Sequence, residues 1–145
     1  MLPVPAARGG RRAGGRGLRW SGAPIILAGM LLLILAAGDA LAGAELGGGG
    51  DNALRGSPEG DRIAGFNGDD TLHGAAGGDT IYGGAGRDTI YGGPDKDVVL
   101  AGAGEDFVEV KDATTDRVTC GPGADSVSVD SKDLVAPDCE TVYAG

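Results

Sequence analysis

The sequence predicts an all-β protein, a solenoid of very short stacked strands, on three observations. From Gly47 to Glu109 the chain divides without a gap into seven nonapeptides. Each nonapeptide carries an aliphatic residue at position eight, and six of the seven carry an aspartate two residues earlier. Thirty glycines and only two phenylalanines in 145 residues argue against an ordinary globular core, because glycine has no side chain to bury and loses most conformational freedom on folding.

Position six reads Asn52, Asp61, Asp70, Asp79, Asp88, Asp97 and Asp106, and position eight reads Leu54, Ile63, Leu72, Ile81, Ile90, Val99 and Val108. Glycines concentrate at positions one, two and four, where a tight turn needs positive φ and close backbone approach. The triplet around position eight is a short strand whose middle side chain points inward and whose flanking ones point outward. One strand and one turn in nine residues bring the chain back above itself every 18.

After Glu109 the period slips by one residue at Val110 and resumes twice in weaker form. Residues 111–119 keep Asp116 and Val118, and residues 120–128 keep Asp125 and Val127. The remainder, 129–145, reads as a non-repetitive cap with apolar Leu134, Val135, Val142 and Tyr143, and residues 43–46 read as a short leader or part of the N-terminal edge.

Charge is unevenly distributed. Arg8, Arg11, Arg12, Arg16 and Arg19 precede an apolar run over 24–37, which leads to Ala40-Leu41-Ala42, a small-x-small cleavage pattern. Fourteen apolar residues suit a signal-peptide core better than the ~20 that span a bilayer. Residues 1–42 are therefore expected to be a signal peptide cut after Ala42, with an uncleaved anchor as the alternative and the sole expected route to a membrane. From Gly43 onward twenty acids face seven bases, a formal charge of −13. Such a surface repels nucleic acid and attracts cations.

The pattern G-G-x-G-x-D-x-U-x, with U a large aliphatic, resembles the RTX (repeats-in-toxin) calcium-binding nonapeptide repeat, closely over 47–109 and loosely over 111–128. The resemblance implies a right-handed parallel β-roll, a β-solenoid with two repeats per coil and calcium held between turns. Stacking then aligns Asp61, Asp79 and Asp97 along one edge, and Asn52, Asp70, Asp88 and Asp106 along the other. Strands ~4.8 Å apart and Ca²⁺–O bonds of ~2.3–2.6 Å let one ion bridge stacked carboxylates. Mg²⁺ prefers a tighter, hydrated octahedron, and zinc prefers His or Cys ligands, of which this chain has one histidine and two cysteines.

The expected metal ligands are Asp61, Asp70, Asp79, Asp88, Asp97 and Asp106, with turn backbone from Gly74, Gly77, Gly83, Gly84, Gly86, Gly92 and Gly93. Asp79 and Asp88 lie in the repeats closest to the pattern. Asn52 lacks the carboxylate, Ser57 and Glu59 replace glycines, and Asp95 at position four either adds a ligand or distorts its turn. Roughly three to five weak sites are expected, with dissociation constants of about 10⁻⁴–10⁻³ M, typical of extracellular modules. So few aliphatic contacts are expected to leave the metal-free chain largely disordered, calcium driving its folding. A Gly/Asp-rich disordered segment is the plain alternative, but disorder does not require an aliphatic at every ninth position.

Two cysteines in an exported chain suggest a disulfide. Cys120 and Cys139 lie 19 residues apart, one more than a coil, which stacks them within bridging reach. The sequence around them also resembles the tails of other exported bacterial calcium-repeat proteins. His73 shares position nine with Tyr82 and Tyr91, and Thr71, Thr80 and Thr89 share position seven. All are expected to face outward.

The 36 residues after the repeats hold no catalytic triad, H-E-x-x-H helix or acid/base pair. The expectation is a secreted bacterial, non-enzymatic calcium-binding module, possessing no catalytic residues and no organic cofactor. A surface adhesin, or a hydrolase accessory protein, is the alternative, and a protein or glycan partner is left open.

Overall fold

The computed structural model describes residues 43–145. The expected signal peptide, 1–42, and its cleavage site after Ala42 lie outside the described residues. Among the described residues all regular structure is β-strand, and no helix is long and apolar enough to cross a membrane.

Twelve strands alternate between two sheets. One sheet runs β1 (Ala44–Leu46), β3 (Arg62–Asn67), β5 (Thr80–Ala85), β7 (Val98–Ala103), β9 (Arg117–Thr119) and β11 (Leu134–Val135). The other runs β2 (Ala53–Arg55), β4 (Thr71–His73), β6 (Thr89–Tyr91), β8 (Phe107–Glu109), β10 (Ser126–Val129) and β12 (Thr141–Ala144). Every pairing between named strands is parallel. The chain is a parallel β-solenoid of about six turns, as the nine-residue period predicts.

Register follows that period. Ile63 pairs with Ile81 and Ile81 with Val99, while Leu72 pairs with Ile90 and Ile90 with Val108. Beyond β8 the step lengthens, so that Val99 pairs with Val118 and Val108 with Val127. This is the slip read at Val110: one extra residue is accommodated in the turn between β8 and β9, and the ladders on both sides stay intact.

Two features go beyond the expected pattern. The strands β3, β5 and β7 extend to six residues, because the chain stays laddered past the glycine positions, with Gly84 paired to both Phe66 and Gly102. The tail also joins the stack. β11 pairs with β9 and β12 with β10, so residues 129–145 add a last, irregular coil.

The core is a double file of aliphatic residues between the sheets. Ile63, Leu72, Ile81, Ile90, Val99, Val108, Val118 and Val127 are completely buried, and Leu54 at the N-terminal edge is partly buried. Toward the C-terminus Ala101, Val110, Cys120 and Val129 add to this core at places where earlier repeats carry glycine. Most residues beside the inward aliphatics are half-exposed or exposed, Thr71, Thr80 and Thr89 among the half-exposed ones, while Ala64 beside Ile63 is buried.

Candidate metal centre

Because position six precedes each strand by one residue, stacking strands also stacks aspartates. Asp61, Asp70, Asp79, Asp88, Asp97, Asp106, Asp116 and Asp125 are all buried, the least so at 3% exposure. Each is fixed by its own backbone: the Asp61 carbonyl accepts from the Thr80 amide of the next coil, and the Asp79 carbonyl from the Val98 amide. The side chains form a second ladder. The Asp61 amide donates to Asp79 Oδ1 at 2.7 Å, Asp79 to Asp97 Oδ1 at 2.8 Å, and Asp97 to Asp116 Oδ1 at 2.8 Å. On the other edge Asn52 donates to Asp70, Asp70 to Asp88, Asp88 to Asp106, and Asp106 to Asp125.

In the seven stacked aspartates from Asp70 to Asp125 one oxygen is thereby used, and the second is not. Oδ2 of Asp70, Asp79, Asp88, Asp97, Asp106, Asp116 and Asp125 is buried without a hydrogen-bond partner. Unpaired buried carboxylate oxygens are strongly unfavourable unless something positive compensates them. Burial, reinforced by neighbouring carboxylates and opposed by the backbone amide, pushes Asp97 up to about 7 and Asp88 up to about 6. The same causes raise Asp70, Asp79, Asp106, Asp116 and Asp125.

The glycines at position one complete the surroundings. A Cβ on Gly74 would overlap both Asp79 Oδ2 and the Gly92 carbonyl oxygen of the coil above, and one on Gly83 would overlap Asp88 Oδ2 and the Ala101 oxygen. Gly65 stands in the same relation to Asp70, and a Cβ on Gly92 would overlap Asp97 Oδ2. The free Oδ2 of Asp70, Asp79 and Asp88 therefore shares a small space with a peptide oxygen from the next coil and no donor, whereas Asp97 Oδ2 faces the Val110 side chain there. That donor set of carboxylate and carbonyl oxygens suits a hard cation such as calcium. Among the described residues no three His, Cys, Asp or Glu side chains converge as a metal cage. An ion here would rely on one or two carboxylates plus turn carbonyls. Of the other glycines expected to contribute backbone, Gly77, Gly84, Gly86 and Gly93 adopt positive φ.

Local departures in sequence have local structural consequences. Asp61 Oδ2 accepts from the Ser57 amide at 2.6 Å and lies 2.9 Å from its hydroxyl, so Ser57 satisfies the oxygen that stays free elsewhere. Asn52 is likewise satisfied within its own turn, through the Gly48 amide and the Gly50 carbonyl. Asp95 has φ +85° and accepts from the Gly77 amide at 3.1 Å, which places its carboxylate on the outer turn. His73 faces outward and stacks on Tyr91 with ring centroids 4.5 Å apart.

Four acids outside the expected ligand set belong to the columns. Asp116 and Asp125 continue them, while Asp133 and Glu140 end them by accepting from the Asp116 and Asp125 amides at 3.0 Å. The signal was present, since Asp133 precedes Val135 by two residues and Glu140 precedes Val142 by two. Uneven spacing hid it. Cys120 and Cys139 form a disulfide with Cα atoms 5.2 Å apart, tying this last coil to the one before.

Comparison with known proteins matches residues 46–81 and 73–108 to the RTX calcium-binding nonapeptide repeat (4 copies). Among solved structures, the chain is similar to a subunit of the Azotobacter vinelandii mannuronan C5-epimerase, determined in solution. The identity is 31% and the TM-score 0.42, and the match covers 57% of this chain and about half of the other, 49%. No curated protein matches the chain.

Proposed function

We propose that this chain is a non-catalytic calcium-binding module that folds as it takes up the ion, a reading supported by the match of residues 46–108 to the RTX calcium-binding nonapeptide repeat. The row of buried, unpartnered Oδ2 atoms carries this reading. Asp70, Asp79, Asp88, Asp97 and Asp106 would hold calcium through those oxygens, with peptide oxygens of the turns built from Gly74, Gly77, Gly83, Gly84, Gly86, Gly92 and Gly93. Asp61 would be the weakest of the expected ligands, because Ser57 already occupies it. Bound calcium supplies the positive charge that makes burial of these carboxylates tolerable. The protein's part is to hold them close, aim one oxygen inward and exclude water.

Residues 1–42 are proposed to direct export and to be removed after Ala42, leaving the repeats at 47–109 and the closing segment at 110–145. One observation supports an extracellular setting: disulfides persist in oxidising compartments, as Cys120–Cys139 requires.

The test is far-ultraviolet circular dichroism of the full chain, titrated with calcium from a chelated start. A cooperative gain of β signal is expected. An identical folded spectrum with and without chelator would show that calcium does not drive folding. Calcium titration calorimetry of Asp79→Ala plus Asp88→Ala should show fewer ions bound, and unchanged uptake would rule out the proposed ligands.

A further inference from the structure

The turn that absorbs the inserted residue, 111–116, has lost the glycines of the repeat and lies beyond the residues matched to the RTX family. In their place it carries Asp112. The Thr114 hydroxyl lies 2.8 Å from Asp112 Oδ1, 3.3 Å from Asp116 Oδ1 and 2.9 Å from the Asp95 carbonyl oxygen. One hydroxyl proton can serve only one of these three acceptors. Two carboxylates thus meet at one hydroxyl, and the backbone amides beside them, Thr114 at 2.7 Å from Asp112 Oδ1 and Asp97 at 2.8 Å from Asp116 Oδ1, engage only those same oxygens.

The remaining oxygens make the imbalance worse. Asp116 is fully buried and its Oδ2 has no partner, and Asp112 Oδ2 is also buried and unpartnered. Basic side chains do not relieve them. The nearby Lys132 ammonium is used on the Ala113 carbonyl at 2.7 Å, and the one salt bridge among the described residues joins Arg87 to Glu105, elsewhere on the solenoid. Asp97 below and Asp133 above add further negative charge, since their carboxylates belong to the same column as Asp116. Oxygen-only, doubly anionic and enclosed, the turn has the donor chemistry of a calcium site.

We infer that the inserted turn holds a divalent cation of its own, calcium, with Asp112 and Asp116 as its carboxylate ligands. The site differs from those of the repeats in kind. There a position-one glycine lets one carboxylate approach a peptide oxygen of the next coil, whereas here a second side chain from the same turn supplies the extra oxygen. The inference rests on the calcium reading of the columns, to which Asp116 belongs, and adds Asp112, a carboxylate in a turn that has lost the repeat's glycines.

Calcium titration calorimetry of the full chain, started from a chelated sample, tests it with Asp112→Asn and Asp79→Asn in parallel. Asn at 112 keeps the acceptor for Thr114 and removes the charge. The expected result is one ion fewer for Asp112→Asn, with the remaining sites unchanged in affinity. A normal ion count for Asp112→Asn beside a reduced one for Asp79→Asn overturns this inference and leaves the column reading standing, whereas normal counts for both overturn both. Should Asp112→Asn fail to fold, a calcium-loaded crystal structure of the unaltered chain decides. An ion within about 2.3–2.6 Å of a carboxylate oxygen of both Asp112 and Asp116 supports the site, and an ordered turn without one overturns it.

Discussion

Single positions in the turns are constrained by contact as much as by dihedral angle. Gly84 has φ +128°, and a Cβ there would overlap the carbonyl oxygen of Phe66 one coil below. Gly84→Ala should therefore cost at least about 2 kcal/mol, as strained and overpacked positions do, seen as a lower calcium-loaded melting temperature. Ala75 is the converse case, an alanine at φ +85°. A left-handed alanine costs ~1–2 kcal/mol against ~0.5–1 for the added freedom of glycine. Ala75→Gly should raise the melting temperature slightly, and a fall would mean the methyl group packs usefully. The aspartates themselves were legible, because a residue recurring two places before a buried aliphatic must stack. Which of their oxygens stays free was not legible, since that depends on an amide 18 residues away.

At the scale of the strand, alternation set by the nonapeptide put position eight inside from β3 to β8 and its neighbours outside, except that Ala64 in β3 is buried as well. Glycine-rich extension of β3, β5 and β7 was hidden by the low strand preference of glycine, which tertiary laddering overrides. The final coil was hidden for a different reason. Pairing of Arg117 with Leu134 and of Ser126 with Thr141 departs from the 18-residue step, so a search at fixed period passes over it. That coil is also the weakest packed, with all four residues of β12 exposed. The disulfide is what secures it. A bridge between residues 19 apart adds about 3 kcal/mol by chain-entropy reasoning. Replacing both cysteines by serine should remove about that much, with hydrogen exchange rising first in β11 and β12. Equal protection in both forms would mean the coil holds without its staple.

The molecule as a whole is a stack of like charges, and its stability must depend on what neutralises them. Asp97 faces Asp79, Asp112 and Asp116, and Asp88 faces Asp69, Asp70 and Asp106. Both have folded values above the ordinary carboxylate value of 3.8, about 7 and about 6 respectively. Between the unfolded and folded values the folded chain holds protons that the unfolded chain has released, so metal-free stability is fully present at low pH and lost as pH rises toward 7. In chelator, the protein should hold more β signal at pH 5 than at pH 7.5, and added calcium should raise that signal more at pH 7.5. Equal signal at both pH values without metal would show that these carboxylates are not the source of instability.

The repeating sequence by itself determined the strands, the inward aliphatics, the two carboxylate columns and the proximity of the cysteines, because whatever recurs every nine residues must recur in space once the chain coils. Tertiary structure alone decided that Oδ1 is consumed while Oδ2 is left free, that Ser57 quenches Asp61, that Asp133 and Glu140 end the columns, and that Asp112 turns toward Asp116. Each of those outcomes depends on through-space neighbours whose hydrogen bonds complete or leave open a carboxylate, and linear order does not encode that choice.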